Sequence, residues 1–138
     1  MSATIPDSHI DLITGPVFAV LSTVSPGGQP ENTVVWCSLE SDHILVTTIA
    51  GRRKYQNVKH NHKVALTAVD PKDAYRWLDV RGFVEEIVPD IDYAVINSHS
   101  LLYDGIPEFY SGANASRRGN EERVVLRIRP VRVLTYPH

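Results

Sequence analysis

Arg52, Arg53 and Lys54 stand in a row where a helix is predicted to begin. The β-branched run Ile44–Ile49 reads as a strand, Ala50-Gly51 breaks it, and Tyr55, Val58 and His62 then recur at helical spacing. A helix N-terminus carries partial positive charge and unpaired backbone N–H groups. Asp, Glu, Ser or Thr usually stand there, yet this chain places three cations there and no acid between Asp42 and Asp70. That arrangement costs from a few tenths to about 1 kcal/mol unless an anion is bound. Phosphate would reverse the sign, taking the free N–H groups and the guanidinium or ammonium donors together. The competing reading is a solvated basic face.

Other chemistry is missing. Pro26-Gly27-Gly28 is a turn and not a dinucleotide fingerprint, and Arg52–Lys54 lack the glycine loop of a Walker sequence. No serine sits in a nucleophile elbow. The six histidines, His60-Asn61-His62 included, form no metal pattern, and no metal is expected. Cys37, beside Trp36 in a strand, reads as a packed residue, and a lone cysteine allows no intrachain disulfide. An anion site without acid–base or nucleophilic apparatus suits a protein whose cofactor carries the chemistry.

At 138 residues and a net charge of -2, one domain over 1–138 with one core is expected. Nothing global suggests nucleic-acid binding, so any basic patch is local. The N-terminal stretch lacks a basic region followed by an apolar one, and no apolar run is long enough to span a bilayer. Cytoplasmic localisation with no membrane partner is therefore expected.

The elements that position the cations follow in order. Residues 7–14 read as a short helix capped by Asp7 or Ser8, with Ile10 and Ile13 on its apolar face and Gly15 as its stop. Residues 17–23 and 29–39 form a hairpin across the turn Ser25–Gly28, with Pro30 at an edge. After the central strand and the basic helix come strands over 63–69 and 75–88, the second with a bulge at Gly82. A helix over 90–102 and a loop over 103–122 precede strands over 122–128 and 131–136, separated at Pro130. The fold class is mainly β, a six-stranded antiparallel barrel with peripheral helices.

In this order and spacing the segments VFAVLSTVSPGGQPENTVVW, LVTTIAGRRKYQNVKHNHKVAL, VDPKDAYRWLDVRG and ERVVLRIRPVRVL resemble a known family. They are similar to the FMN-binding split β-barrels of the pyridoxamine-5′-phosphate-oxidase type, above all the actinobacterial branch that uses the deazaflavin coenzyme F420. The resemblance covers most of the chain and is weakest over residues 103–120. It implies a homodimer with a cofactor at the interface, touched by both chains. The ring would lie along Asn32, Val34, Val35 and Trp36 and along Thr47 and Thr48. The phosphate would go to Arg52, Arg53 and Lys54, and Asn57, one turn on, would share it or the ribityl chain. Tyr75, Arg76 and Trp77 match a segment near the cofactor.

Each position has a plainer reading beside this one. Trp36 and Trp77 also suit a core or an interface, Asn32 a local pair, and Arg76 with Arg81 interface ion pairs. Arg117 and Arg118 are either solvated or meet the acidic tail of the deazaflavin. The function implied is an F420-dependent oxidoreductase passing hydride to a small conjugated organic acceptor. The alternatives are an FMN-dependent oxidase or NAD(P)H reductase of the same fold, or a non-catalytic flavin, deazaflavin or haem binder. No side chain is singled out as catalytic.

Overall fold

A computed structural model of the chain describes residues 3–138. Residues 1 and 2, the start of the stretch read above as lacking a leader, lie outside it. The strands are β1 (Ala19–Val24), β2 (Pro30–Val35), β3 (Ser38–Glu40), β4 (His43–Ile49), β5 (Lys63–Asp70), β6 (Asp73–Pro89) and β7 (Arg123–Tyr136). The helices are α1 (Asp11–Thr14), α2 (Arg53–His60) and α3 (Ala94–Asp104), with 3-10 turns at Ile91–Tyr93 and Gly112–Arg117.

All seven strands join one antiparallel sheet in the order β2-β1-β5-β6-β7-β4-β3. Its two edge strands are adjacent in sequence, joined only by Trp36 and Cys37. Three residue steps reach about 11 Å at most. The edges must therefore be brought together, and the sheet is rolled into a split barrel. Tyr103 of α3 sits at the split. Its hydroxyl donates to the Val17 carbonyl at 2.8 Å and accepts from the Cys37 N–H at 3.1 Å. The interior is filled by the inward residues of the alternating strands, among them Leu21, Ile44, Val46, Leu66, Leu78, Val80, Leu126 and Ile128. Val58 of α2 and Leu12 and Ile13 of α1 complete the same core.

The strand count is seven rather than six. The expected return strand over 29–39 breaks at Trp36-Cys37, where the backbone crosses the split instead of pairing. The two expected C-terminal strands are one. β7 runs through Pro130, which lies beside an irregularity where Arg81 pairs with Arg132 but Gly82 pairs with Pro130. Val131 is the extra residue, so the expected bulge at Gly82 is found with its surplus on the partner strand. Gly82 is forced by proximity, since a Cβ there would lie 2.1 Å from the Arg129 carbonyl oxygen. Residues 7–10 are turns, and α1 is uncapped by any side chain, with Leu12 and Ile13 rather than Ile10 fully buried. The expected helix over 90–102 begins as a 3-10 turn. The Asp90 carboxylate accepts the Val95 and Ile96 N–H groups, both at 2.9 Å, and so fixes where α3 starts.

Candidate functional site

β4 ends at Ile49, and the chain turns through Ala50 and a left-handed Gly51 into α2. No side chain caps α2, and its first turn holds no acid. The N–H groups of that turn have no helical acceptor. Arg52 and Lys54 line a cavity of about 260 Å³ there, with Phe18, Val34, Val35, Trp36, Thr47, Ile96, Phe109 and Arg123. One wall is thus cationic and the others are apolar and aromatic. Among the described residues Lys54 has no carboxylate in ion-pair range. Burial pushes its ammonium pKa below the ordinary lysine value, and the charges of Arg52 and Arg123 push the same way. A half-buried ammonium facing two guanidinium groups lacks a counter-anion.

Arg123, at the start of β7, was not foreseen as part of the site. It is 9 % exposed. Its Nε donates to the Tyr110 hydroxyl at 2.9 Å and its Nη1 to the Thr47 hydroxyl at 3.1 Å, while the guanidinium lies 4.9 Å over the Phe109 ring. Arg117 covers the same ring at 5.8 Å. Glu121 accepts from Tyr110 at 2.9 Å and from Arg117 at 3.0 Å, and its carboxylate lies 3.8 Å from Arg52. The segment expected to be a loop is therefore a cap, tied to the barrel by aromatic rings between guanidinium groups. The only sequence signal was its content of Phe, Tyr and Arg, which has no period.

The cavity brings together Val34, Val35, Trp36, Thr47, Arg52 and Lys54 of the expected site residues. The others are engaged elsewhere in this chain. The Arg53 side chain is exposed and makes a two-pronged contact with Glu31, its Nε 3.0 Å from one carboxylate oxygen and its Nη2 3.2 Å from the other. Asn57 is buried and donates to the Thr23 hydroxyl and to Glu31, at 2.9 and 2.8 Å. These contacts tie α2 to β1 and β2, so the face of α2 that carries Asn57 is the barrel face. Asn32 bonds Ser22 across the hairpin. Thr48, next to Thr47, points to the opposite, buried side. Arg76 bridges Asp11 and Asp70, with Nη1 to Asp70 at 3.0 Å, anchoring α1 to the barrel. Trp77 stacks on Tyr136 at 6.0 Å, and Tyr75 is exposed. Trp36 is both wall and packing, stacked on Tyr103 at 5.3 Å and edge-on to Phe109.

Residues 5–136 match the family described as pyridoxamine 5'-phosphate oxidase. The chain belongs to that family. A solved structure described as an F420 reductase is 32% identical, with a TM-score of 0.81 over 94% of this chain and 98% of that one. A conserved hypothetical protein of Mycobacterium tuberculosis is 22% identical, with a TM-score of 0.74 over 97% and 85% of the two chains. HupZ of Group A Streptococcus is 18% identical, with a TM-score of 0.68 over 96% and 94%. The last two share the fold. No curated protein sequence matches the chain. Family membership makes this a flavin-binding type of oxidoreductase barrel.

The residues present fit such a group at its phosphate. The mouth offers a guanidinium, an unpaired ammonium and open helix N–H groups, beside a wall suited to a planar ring. Among the described residues no cluster of three His, Cys, Asp or Glu side chains converges, and none of the helices is long and apolar enough to cross a membrane. Cys37 is buried, and burial raises its thiol pKa to about 11, which keeps it a thiol at neutral pH.

Proposed function

We propose that this protein is an F420-dependent oxidoreductase that reduces a small conjugated organic acceptor. The observation that carries the reading is Lys54, an ammonium without a counter-ion beside Arg52 at an acid-free helix start, facing an aromatic wall. The structure described as an F420 reductase, 32% identical over nearly the whole of both chains, supports the deazaflavin over other ring systems.

Bound there, the deazaflavin would supply hydride. The chain would do the binding and the shielding. Arg52 and Lys54 would hold the phosphate with the first-turn N–H groups of α2. Val34, Val35 and Trp36 would form one wall for the ring. Phe109 of the cap, edge-on to Trp36, would help to close the cavity and keep water away. The Thr47 hydroxyl accepts from Arg123 Nη1 and helps to orient that guanidinium. Among the described residues the cavity lining holds no carboxyl, imidazole or thiol, and proton delivery to the product would fall to solvent or to the Lys54 ammonium.

The same reading includes a homodimer with ligand held between two chains. A cavity of about 260 Å³ is small beside the ~300–1,000 Å³ of ordinary ligand sites. Its rim continues into Phe18 and Val34, 60% and 67% exposed, which a second chain would cover.

The test is a pair of titrations, F420 and FMN, each followed by absorbance of the bound chromophore and then by hydride-transfer assays with enone and quinone acceptors. Tighter binding of F420 and turnover with it alone are expected. Preference for FMN, with NAD(P)H or O2 reactivity, would replace this reading by the FMN-dependent one. Binding of either without turnover on any acceptor would favour a carrier.

A further inference from the structure

Glu121 is a carboxylate set among the cations that surround the cavity. Arg52, Lys54 and Arg123 line that cavity, and Arg117 covers Phe109 beside it. Glu121 is well covered, with 16% of its side chain exposed. One of its oxygens accepts the Tyr110 O–H at 2.9 Å and the other accepts Arg117 Nη2 at 3.0 Å. The second oxygen also lies 3.8 Å from Arg52 Nη2. That distance is an ion pair but too long for a hydrogen bond. Arg117 and Tyr110 therefore hold Glu121, while Arg52 is only attracted to it. Arg52 itself is more than half exposed.

We propose that Glu121 is a built-in competitor for Arg52, a positioning residue that sets how tightly the cavity holds a phosphate-bearing ligand. Without ligand, Arg52 leans toward the cap and shares the Glu121 charge. A phosphate at the start of α2 draws Arg52 away from Glu121 and onto itself. Glu121 loses little by this, because Arg117 and Tyr110 still satisfy both of its oxygens. Binding thus exchanges one ion pair for another at Arg52, whereas Lys54 gains an anion and gives up none. The two cations of the mouth are consequently unequal. The inference rests on the reading of this cavity as a phosphate site.

The test measures dissociation constants of the full chain for FMN, F420 and inorganic phosphate in four variants. Lys54→Ala reports whether the cavity binds phosphate at all. With that established, Glu121→Gln keeps both hydrogen bonds within reach and removes the charge. It should tighten binding about two- to fivefold, the range of a largely solvent-facing ion pair. The gain should vanish when Arg52 is also Ala, which a purely structural effect on the cap would not produce. Arg52→Ala alone should weaken binding less than Lys54→Ala does, a comparison that holds even where Glu121→Gln folds poorly. Unchanged or weaker binding by Glu121→Gln, or a gain that persists without Arg52, would overturn the role of Glu121 and leave the phosphate site standing. A Lys54→Ala protein that binds all three ligands like wild type would overturn the site and this inference together.

Discussion

Lys54 and His99 show two outcomes of withdrawing a base from water. Lys54 is half-buried at the mouth, with burial and then Arg52 and Arg123 lowering its pKa. Replacing it by Met should leave the free protein as stable or slightly more stable, because an unfavourable charge is removed. The same change should weaken FMN or F420 binding by about 1.5–3 kcal/mol, the scale of a hydrogen bond between charged groups. A bound anion raises the Lys54 pKa above its lowered value in the free protein. Wild-type affinity should therefore fall as pH rises through that lowered value, before an ordinary lysine would titrate. Titrations across the alkaline range, with thermal melts of both proteins, would check the three parts. A Met variant that melts lower and binds equally well would make Lys54 a structural residue.

His99 is 1% exposed, and burial pushes its pKa from 6.5 down to about 4. Its Nε2 meets the Ser38 hydroxyl at 2.9 Å, and its Nδ1 has no partner. The folded pKa is depressed, so the contribution of His99 is complete above pH 6.5 and is lost as pH falls toward 4. The loss over that window is about 3 kcal/mol. Urea melts between pH 7 and 4 should show it, and His99→Gln should flatten the acid limb. A limb of unchanged slope in that variant would assign the acid loss to other groups.

At the scale of elements, the turn from β4 into α2 was fully legible, because a glycine break and misplaced cations are local signals. The two C-terminal strands and the return strand over 29–39 were misdivided for one reason. Proline and a polar residue are local signs of a break, but barrel closure decides where pairing stops. Pro130 is tolerated beside the bulge at Val131, and the real break falls at Trp36-Cys37, where nothing local announces it. Gly82→Ala should be among the most damaging single changes, since its Cβ would sit 2.1 Å from a β7 carbonyl oxygen. Overpacking of that kind costs about 1–3 kcal/mol, and a backbone atom is a worse neighbour than a side chain. A melting temperature within a degree of wild type would mean that β6 and β7 part there without loss. Asp90→Ala should cost about 1 kcal/mol by freeing two α3 N–H groups, read as a lower denaturant midpoint at constant slope.

On the scale of the whole molecule, the unforeseen parts of the site share one property. Arg123 and Phe109 reach the cavity only through contacts between distant segments, Arg123 to Thr47 for one, 76 residues apart. Sequence spacing carries no trace of such a contact. The same holds for the residues that drop out of the cavity, since Glu31 of β2 claims Arg53 and Asn57, 22 and 26 residues away in sequence.

What a single chain leaves open also points outward. Phe18, Val20 and Val34 stand exposed together on the outer face of the β1–β2 hairpin, where Val20 pairs with Val34. A second apolar hollow of about 760 Å³, lined by Thr23, Val24, Val64, Phe83 and Val131 among others, opens elsewhere on the barrel. β2 also ends the sheet as an edge strand. Exposed apolar area of this kind marks a surface that another subunit ordinarily covers. A homodimer is the expected state, with Phe18 and Val34 against the partner beside the cavity. Sedimentation at micromolar concentration should give twice the chain mass of 15.4 kDa. Val34→Glu should shift it toward monomer and weaken cofactor binding in the same protein, because a buried carboxylate would be unpaired at the contact. A monomeric wild type, or a monomeric Val34→Glu that binds cofactor as well as the dimer, would show that one chain holds the whole site.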